Sequence, residues 1–289
     1  LKIGEALKSY RKQKKLTQKE FIRDVLSESY YSKVENNQHR ITAEDLFSLL
    51  SINNISIQEF SLHLNIGKQS SLKNLQNKMY LMTFNNQRDE LDHLVTQALQ
   101  DPKLTDDEKK LFLILVDVTK QDNVYSDVML STENKNFLKE KILTDENWSN
   151  NSLTLYANTL HAYDFEDNLT FIQLLLNERT LSQFTEPQSK RSLIFATILL
   201  NFVSLCIDQK ELALTQKPLQ ILNAMPKTPE YTFYRLLTVF FQELIQQMTG
   251  NQTSSEKIET IIQSFNYIGR TDFAQNLQLV FEEHGRPDA

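Results

Sequence analysis

The sequence predicts an all-α protein in two parts: an N-terminal bundle of short helices, then a longer array of paired helices. Three observations carry this. Five glycines and six prolines in 289 residues are too few for the positive-φ turns of hairpins, sandwiches, phosphate loops or dinucleotide folds. Apolar residues recur at helical spacing along most of the chain, and no proline interrupts the first hundred residues. Helix-start signals recur at near-regular intervals through the second part.

Charge divides the chain in the same way. Residues 1–40 hold ten Lys/Arg against five Asp/Glu, a balance of +5. The other 249 residues hold 21 against 32, a balance of -11. A basic head on an acidic body suits a polyanion-binding module joined to something else, or is ordinary surface charge. The single cysteine, Cys206, excludes an intrachain disulfide and a cysteine-rich metal site, and its apolar surroundings suggest a buried thiol. The first residues carry no signal-peptide pattern. The longest apolar stretch, Leu193 to Ile207, is broken by Thr197, Asn201 and Ser204 and falls short of the ~20 residues of a membrane span. A cytoplasmic protein with no membrane partner is expected.

In the head, Ile3, Leu7 and Tyr10 lie at helical spacing and are followed by Arg11, Lys12, Lys14 and Lys15. Thr17 with Glu20 forms a capping box for a second helix, with Phe21 and Val25 on its inner face. Ser27 caps a third helix through Glu35. Thr42 with Asp45 starts a fourth, with Leu46, Leu49 and Leu50 inward, and Ser56 with Glu59 starts a fifth, with Ile57 and Phe60 packing.

The pattern Leu7-x3-Arg11-x4-Leu16-Thr17-Gln18, then Ser32-Lys33-Val34-Glu35, then Leu46-x2-Leu49, resembles the Xre/Cro-type helix-turn-helix. Its turn, Val25-Leu26-Ser27-Glu28-Ser29, is about one residue shorter than usual for that class and lacks the common glycine. In this short form, with Ser27, Ser29, Ser32, Lys33 and Glu35, it is similar to the Rgg family (Rgg/GadR/MutR) of peptide-sensing transcriptional regulators. In such modules the third helix enters the major groove with its N-terminal residues at base edges. That would put Glu28, Ser29, Tyr30 and Lys33 nearest the bases, with Tyr31 and Val34 facing the bundle. Gln18, at a helix N-terminus, is placed for a phosphate oxygen. Lys14, Lys15 and Arg40 are candidate phosphate contacts or solvated cations. The resemblance implies that Arg11 pairs with Glu35 and braces the first helix against the third.

The polar run around Gly67, Lys68 to Ser71, marks the expected boundary: a DNA-binding domain at 1–66 and a repeat domain at 67–289. Helix starts are read at Thr105 with Glu108, Thr144, Asp164, Thr185, Asp208 with Glu211, Thr228, Thr253 and Thr271. From Thr144 on, taken two at a time, they repeat every 41 to 45 residues, the period of a helix-hairpin solenoid. The array is read as right-handed and tetratricopeptide-like on period and pairing. Polar residues in or flanking its apolar helices are candidate ligand contacts: Asn151, Asn158, Arg191, Asn201, Tyr231, Tyr234 and Arg235, with Tyr156 a further possibility. For each the alternative is a core hydrogen bond or surface charge. Asn offers a donor and an acceptor together and can clamp one peptide unit.

Trp148 followed by Leu155-Tyr156-Ala157-Asn158 is similar to a segment of the Rgg family, although the acidic residue often found between is Ser152 here. The resemblance implies a homodimer on promoter DNA whose repeat domain binds a short hydrophobic peptide pheromone on its concave face, a quorum-sensing regulator. The reading from another class is a helical-repeat adaptor whose head docks a protein. The five histidines form no HExxH or Cys/His pattern, and no nucleophile accompanies His161 and Asp164. No enzyme, metal or cofactor is expected.

Overall fold

A computed structural model describes residues 2–64, 70–84, 87, 90–121, 130–143, 148–177, 190–250 and 255–285. Every regular element among them is a helix, and the chain falls into two compact units, Leu1–Asn74 and Leu75–Ala289. The sequence boundary at Gly67 and the helix starts read at Thr144, Thr185 and Thr253 lie outside the described residues.

The first unit holds α1 (Ile3–Gln13), α2 (Gln18–Ile22), α3 (Glu28–Glu35), α4 (Ala43–Ile52) and α5 (Ile57–His63). Hydroxyl caps set four of the starts: Thr17, Ser27, Thr42 and Ser56 accept from the backbone N–H three residues on. Asparagine serves where glycine commonly would. Asn37 (φ 59°) and Asn54 (φ 51°) are left-handed just past α3 and α4, and Gln38 N–H to Lys33 O and Ile55 N–H to Leu50 O close those ends. The core is Ala6, Leu7, Phe21, Ile22, Tyr31, Val34, Leu49, Leu50, Ile55, Phe60 and Leu64.

Two local expectations fail here. α2 ends at Ile22 because Arg23 turns to φ 48°, so Val25 lies in the turn and not on a helix face. Ile57 opens α5 with its side chain 58% exposed; Phe60 alone of that pair enters the core.

After α6 (Ser71–Phe84) come α7 (Leu91–Gln100), α8 (Asp106–Gln121), α9 (Thr132–Leu143), α10 (Asn150–Thr159), α11 (Phe165–Leu175), α12 (Lys190–Asp208), α13 (Gln216–Ala224), α14 (Thr232–Met248), α15 (Glu256–Tyr267) and α16 (Thr271–His284). Sequence neighbours pack as pairs: α7 with α8, α9 with α10, α13 with α14, α15 with α16. Alternate helices also pack side by side: α8 on α10, α10 on α12, α12 on α14, α14 on α16. Contacts to the next helix and the next but one, repeated along the chain, are the logic of a solenoid. α12 is the middle of this stack. Its 19 residues are long and apolar enough to cross a membrane by composition, but its apolar side chains, Phe195, Leu199, Phe202 and Cys206 among them, are buried in one continuous core.

The start read at Asp208 is wrong. Asp208 is the last residue of α12; the chain then makes a 3-10 turn at Leu212–Thr215 before α13. The apolar face of α12 continues through Ile207, and burying it outweighs the capping preference of an aspartate.

Candidate functional site

Helix α3 is two-sided. Tyr31, Val34 and Glu35 are buried, while Glu28, Ser29 and Lys33 are exposed. Ser29 and Lys33 are one helical turn apart and share the outward face. That face is fixed from behind by a charge cluster. Arg11 Nε donates to Glu35 Oε1 at 2.6 Å and Arg11 Nη2 to Oε2 at 2.9 Å; Gln18 Nε2 donates to the same Oε2 at 2.9 Å. Arg11 Nη1 also donates to Leu16 O at 2.9 Å, tying in the α1–α2 turn. Burial alone would raise the Glu35 carboxyl; the hydrogen bonds from Arg11 and Gln18 outweigh it and hold it below the ordinary carboxylate range. Burial first, and then the Glu35 charge, push the Tyr31 phenol far up.

The other residues read from the head divide. Lys14, Lys15 and Arg40 are exposed. Gln18 has one amide N–H committed to Glu35, so its side chain is first a brace; its backbone N–H still opens α2. Tyr30 is not a free base-reading group. Its hydroxyl donates to Arg40 O at 2.6 Å and its ring stacks on His39. It holds the loop after α3: one position on from Ser29, it is rotated round the helix to where it packs partly against the bundle core.

Two residues that fix this geometry were missed in the sequence. A Cβ built on Gly4 would lie 1.9 Å from Val34 O, so α1 and α3 approach as only glycine allows. Asn53, buried, donates to Phe21 O and Leu49 O, both at 2.8 Å, and ties α2 to α4.

In the second unit the candidates lie on α10, α12 and α14, which pack in that order. Asn151 is exposed and Asn158 half-buried, seven residues apart on one face of α10. Neither makes a side-chain hydrogen bond among the described residues. Asn201 Nδ2 donates to Ala157 O at 3.1 Å, beside Asn158. One amide hydrogen is thus used in packing, and its carbonyl oxygen accepts nothing from the described residues. One turn earlier on α12, the Thr197 hydroxyl lies 3.4 Å from that of Tyr234 on α14. Arg191 is half-buried in the first turn of α12. Arg235, next to Tyr234, has a buried Nη1 with no acceptor among the described residues.

Two tyrosines leave the candidate set. Tyr231 is 1% exposed and its hydroxyl lies 2.6 Å from Ser192 Oγ, joining the turn before α14 to α12. Tyr156 is buried and donates to Asn168 Oδ1 at 3.0 Å. Asn168, also missed, is fully buried and shares its amide N–H groups among Leu160 O, Tyr163 O and Asp164 O. It pins the connection from α10 to α11, which places Asn158. The rule that drew attention to Asn201, an amide inside an apolar run, applies equally to Asn168 in NLTFIQLLL. The Asp164 carboxylate is bonded to Lys135 at 2.9 Å, which accounts for it on the surface.

The arrangement offers two surfaces. One is the exposed N-terminal end and outer face of α3, with a carboxylate, a hydroxyl and an ammonium. The other is the pair of amides, Asn158 and Asn201, on adjoining helices α10 and α12, with the Arg235 guanidinium on the next helix of the stack, α14.

The fold and the family are shown by comparison with known proteins. Among solved structures, a protein described as a transcriptional regulator from Listeria monocytogenes EGD-e superposes with a TM-score of 0.77 at 18% identity, covering 98% of each chain. The SHP pheromone receptor Rgg2 of Streptococcus dysgalactiae gives 0.73 at 15% identity, covering 97% of this chain and 99% of the other. The PrgX/cCF10 complex gives 0.70 at 19% identity, covering 98% and 99%. At such identities these establish the shared fold. The family model for the helix-turn-helix matches residues 7–60, and that for the C-terminal domain of the HTH-type transcriptional regulator Rgg matches residues 93–279. With well over half of its length matched by that second model, the chain belongs to the Rgg family of helix-turn-helix transcriptional regulators.

Proposed function

We propose that the protein is a cytoplasmic, homodimeric regulator that binds promoter DNA through α3 and is controlled by a short hydrophobic peptide held by its repeat helices. The observation that carries the DNA half is the two-sidedness of α3: Tyr31, Val34 and Glu35 locked inward, Glu28, Ser29 and Lys33 free outward. Ser29 is suited to several bases and Lys33 to a guanine edge or a phosphate; Lys14, Lys15 and Arg40 supply phosphate contacts. A symmetric dimer would read an inverted repeat.

The peptide half rests on Asn158 and Asn201, with Asn151 two turns away on α10 and Tyr234 and Arg235 on α14. Amide groups left open on adjoining helices suit the alternating donors and acceptors of an extended backbone. Structures similar to this one include a pheromone receptor and a peptide pheromone/receptor complex, which favours this ligand class. Control follows if the peptide binds one arrangement of the dimer better than the other, since only differential affinity shifts an equilibrium.

Mass spectrometry of the protein purified from its native cytoplasm, beside a gel shift on genomic fragments, tests the reading. A co-purifying short peptide whose removal changes DNA affinity supports it. A protein that retains no peptide and binds no DNA contradicts it and favours the adaptor.

A further inference from the structure

A groove of about 650 Å³ runs between the start of α14 and the first turns of α15. Its size falls within the ~300–1,000 Å³ of small-ligand sites. Two features give it direction. At the α14 end stand Lys227, just before the helix, and Arg235, in its first turn. Among the described residues Lys227 has no acidic partner, and Arg235 Nη1 is buried without an acceptor. At the α15 end, Glu256 stands next to Lys257, whose ammonium is already held by Glu243 at 2.5 Å. The unengaged positive charge is therefore at one end only. Between them Leu236, Val239 and Ile261 give an aliphatic strip, edged by Thr228, Thr232 and Thr260.

A guanidinium N–H buried without an acceptor is costly, and an anion that reaches it removes that cost. The planar fork of arginine matches a carboxylate in two parallel hydrogen bonds. A free phosphate would gain nothing from the aliphatic wall.

We propose that this groove takes the C-terminal carboxylate of a peptide. The carboxylate pairs with Arg235, Lys227 stands at the rim, and the last aliphatic side chain lies on Leu236, Val239 and Ile261. This rests on the peptide-binding reading above and adds which end of the peptide is read and where.

Affinity-selection mass spectrometry on the full-length protein tests it, with two pools of heptapeptides of random sequence ending in Leu. One pool carries a free C-terminal acid, the other a C-terminal amide. The expected result is retention of the acid pool at least about tenfold over the amide pool. That preference should vanish in Arg235→Gln and shrink in Lys227→Gln, a rim change that leaves packing alone. Equal retention of both pools, or a preference that survives both substitutions, overturns the inference and leaves peptide binding standing. Retention of neither pool overturns both. Displacement of the acid pool by millimolar inorganic phosphate with equal loss of the amide pool also overturns it, since a free-anion site would then be at work.

Discussion

Arg11 and Glu35 join α1 to α3 through two parallel hydrogen bonds of 2.6 and 2.9 Å, with the carboxylate 1% and the guanidinium 14% exposed. Removing one partner of such a pair strands a buried charge. Glu35→Ala is expected to destabilise the head by about 3 kcal/mol, read by thermal or urea unfolding. The pH dependence follows from the depressed Glu35 carboxyl. Its stabilisation is complete above about pH 5 and is lost as pH falls through the folded-state value. In Glu35→Gln that acid-side slope should be smaller; an unchanged slope would show that the pair is not what titrates.

Gly4 has no room for even one methyl group, since a Cβ there would lie 1.9 Å from the carbonyl oxygen of Val34. That neighbour is backbone, so relief requires α1 to slide off α3. Gly4→Ala should cost about 2 kcal/mol or more despite its better helix propensity. It should also weaken DNA binding at temperatures where the protein is still folded. A neutral or stabilising result, measured by denaturant unfolding, would mean that the approach is looser than described.

Asn158 and Asn201 should separate in their effects. Asn158 makes no side-chain hydrogen bond among the described residues, so Asn158→Ala should leave the melting temperature within a degree or so while weakening peptide binding about tenfold. Asn201 donates to Ala157 O, so Asn201→Ala should lower both stability and affinity. Calorimetry of unfolding beside peptide titration distinguishes them. Equal effects on stability would remove Asn158 from the ligand surface.

Tyr156 and Asn168 carry the sharpest stability prediction for the repeat helices. Tyr156→Phe removes one donor to a buried amide oxygen and should cost about 1–2 kcal/mol. Among the described residues, Asn168→Leu leaves Tyr163 O without a donor and the buried Tyr156 hydroxyl without an acceptor. It also weakens the hold on Leu160 O and Asp164 O, which keep their backbone donors; it should cost more, about 3 kcal/mol. Urea unfolding of both variants checks the order; the reverse order would show that the amide is not the hub.

The head was legible because its signals are local. Thr17, Ser27, Thr42 and Ser56 each act within three residues, and periodicity does the rest. What escaped was either long-range or a contest between local and tertiary terms. Asn53 reaches Phe21 across 32 positions, and nothing near either residue announces it. Asp208 looks like a cap but sits at the end of a helix whose apolar face prevails. Tyr231 reads as a candidate ligand contact flanking an apolar helix, with a core hydrogen bond as the alternative. The 3-10 turn that begins at Pro229 swings it inward onto Ser192 instead. In the candidate site, the sequence could name Asn158, Asn201 and Arg235 by type and surroundings. Which of their polar atoms stay open depends on how α10, α12 and α14 pack.

Whether α3 reads DNA with Ser29 and Lys33 outward is decided by a salt titration. Fluorescence anisotropy on a promoter fragment, from low to physiological salt, should give binding that falls linearly in log Kd against log salt. Lys33→Ala should weaken binding by about 1–3 kcal/mol, and should make the slope shallower by about 1 if its contact is to a phosphate. Binding that is negligible and insensitive to salt, or a Lys33→Ala protein indistinguishable from the parent at physiological salt, would contradict the account.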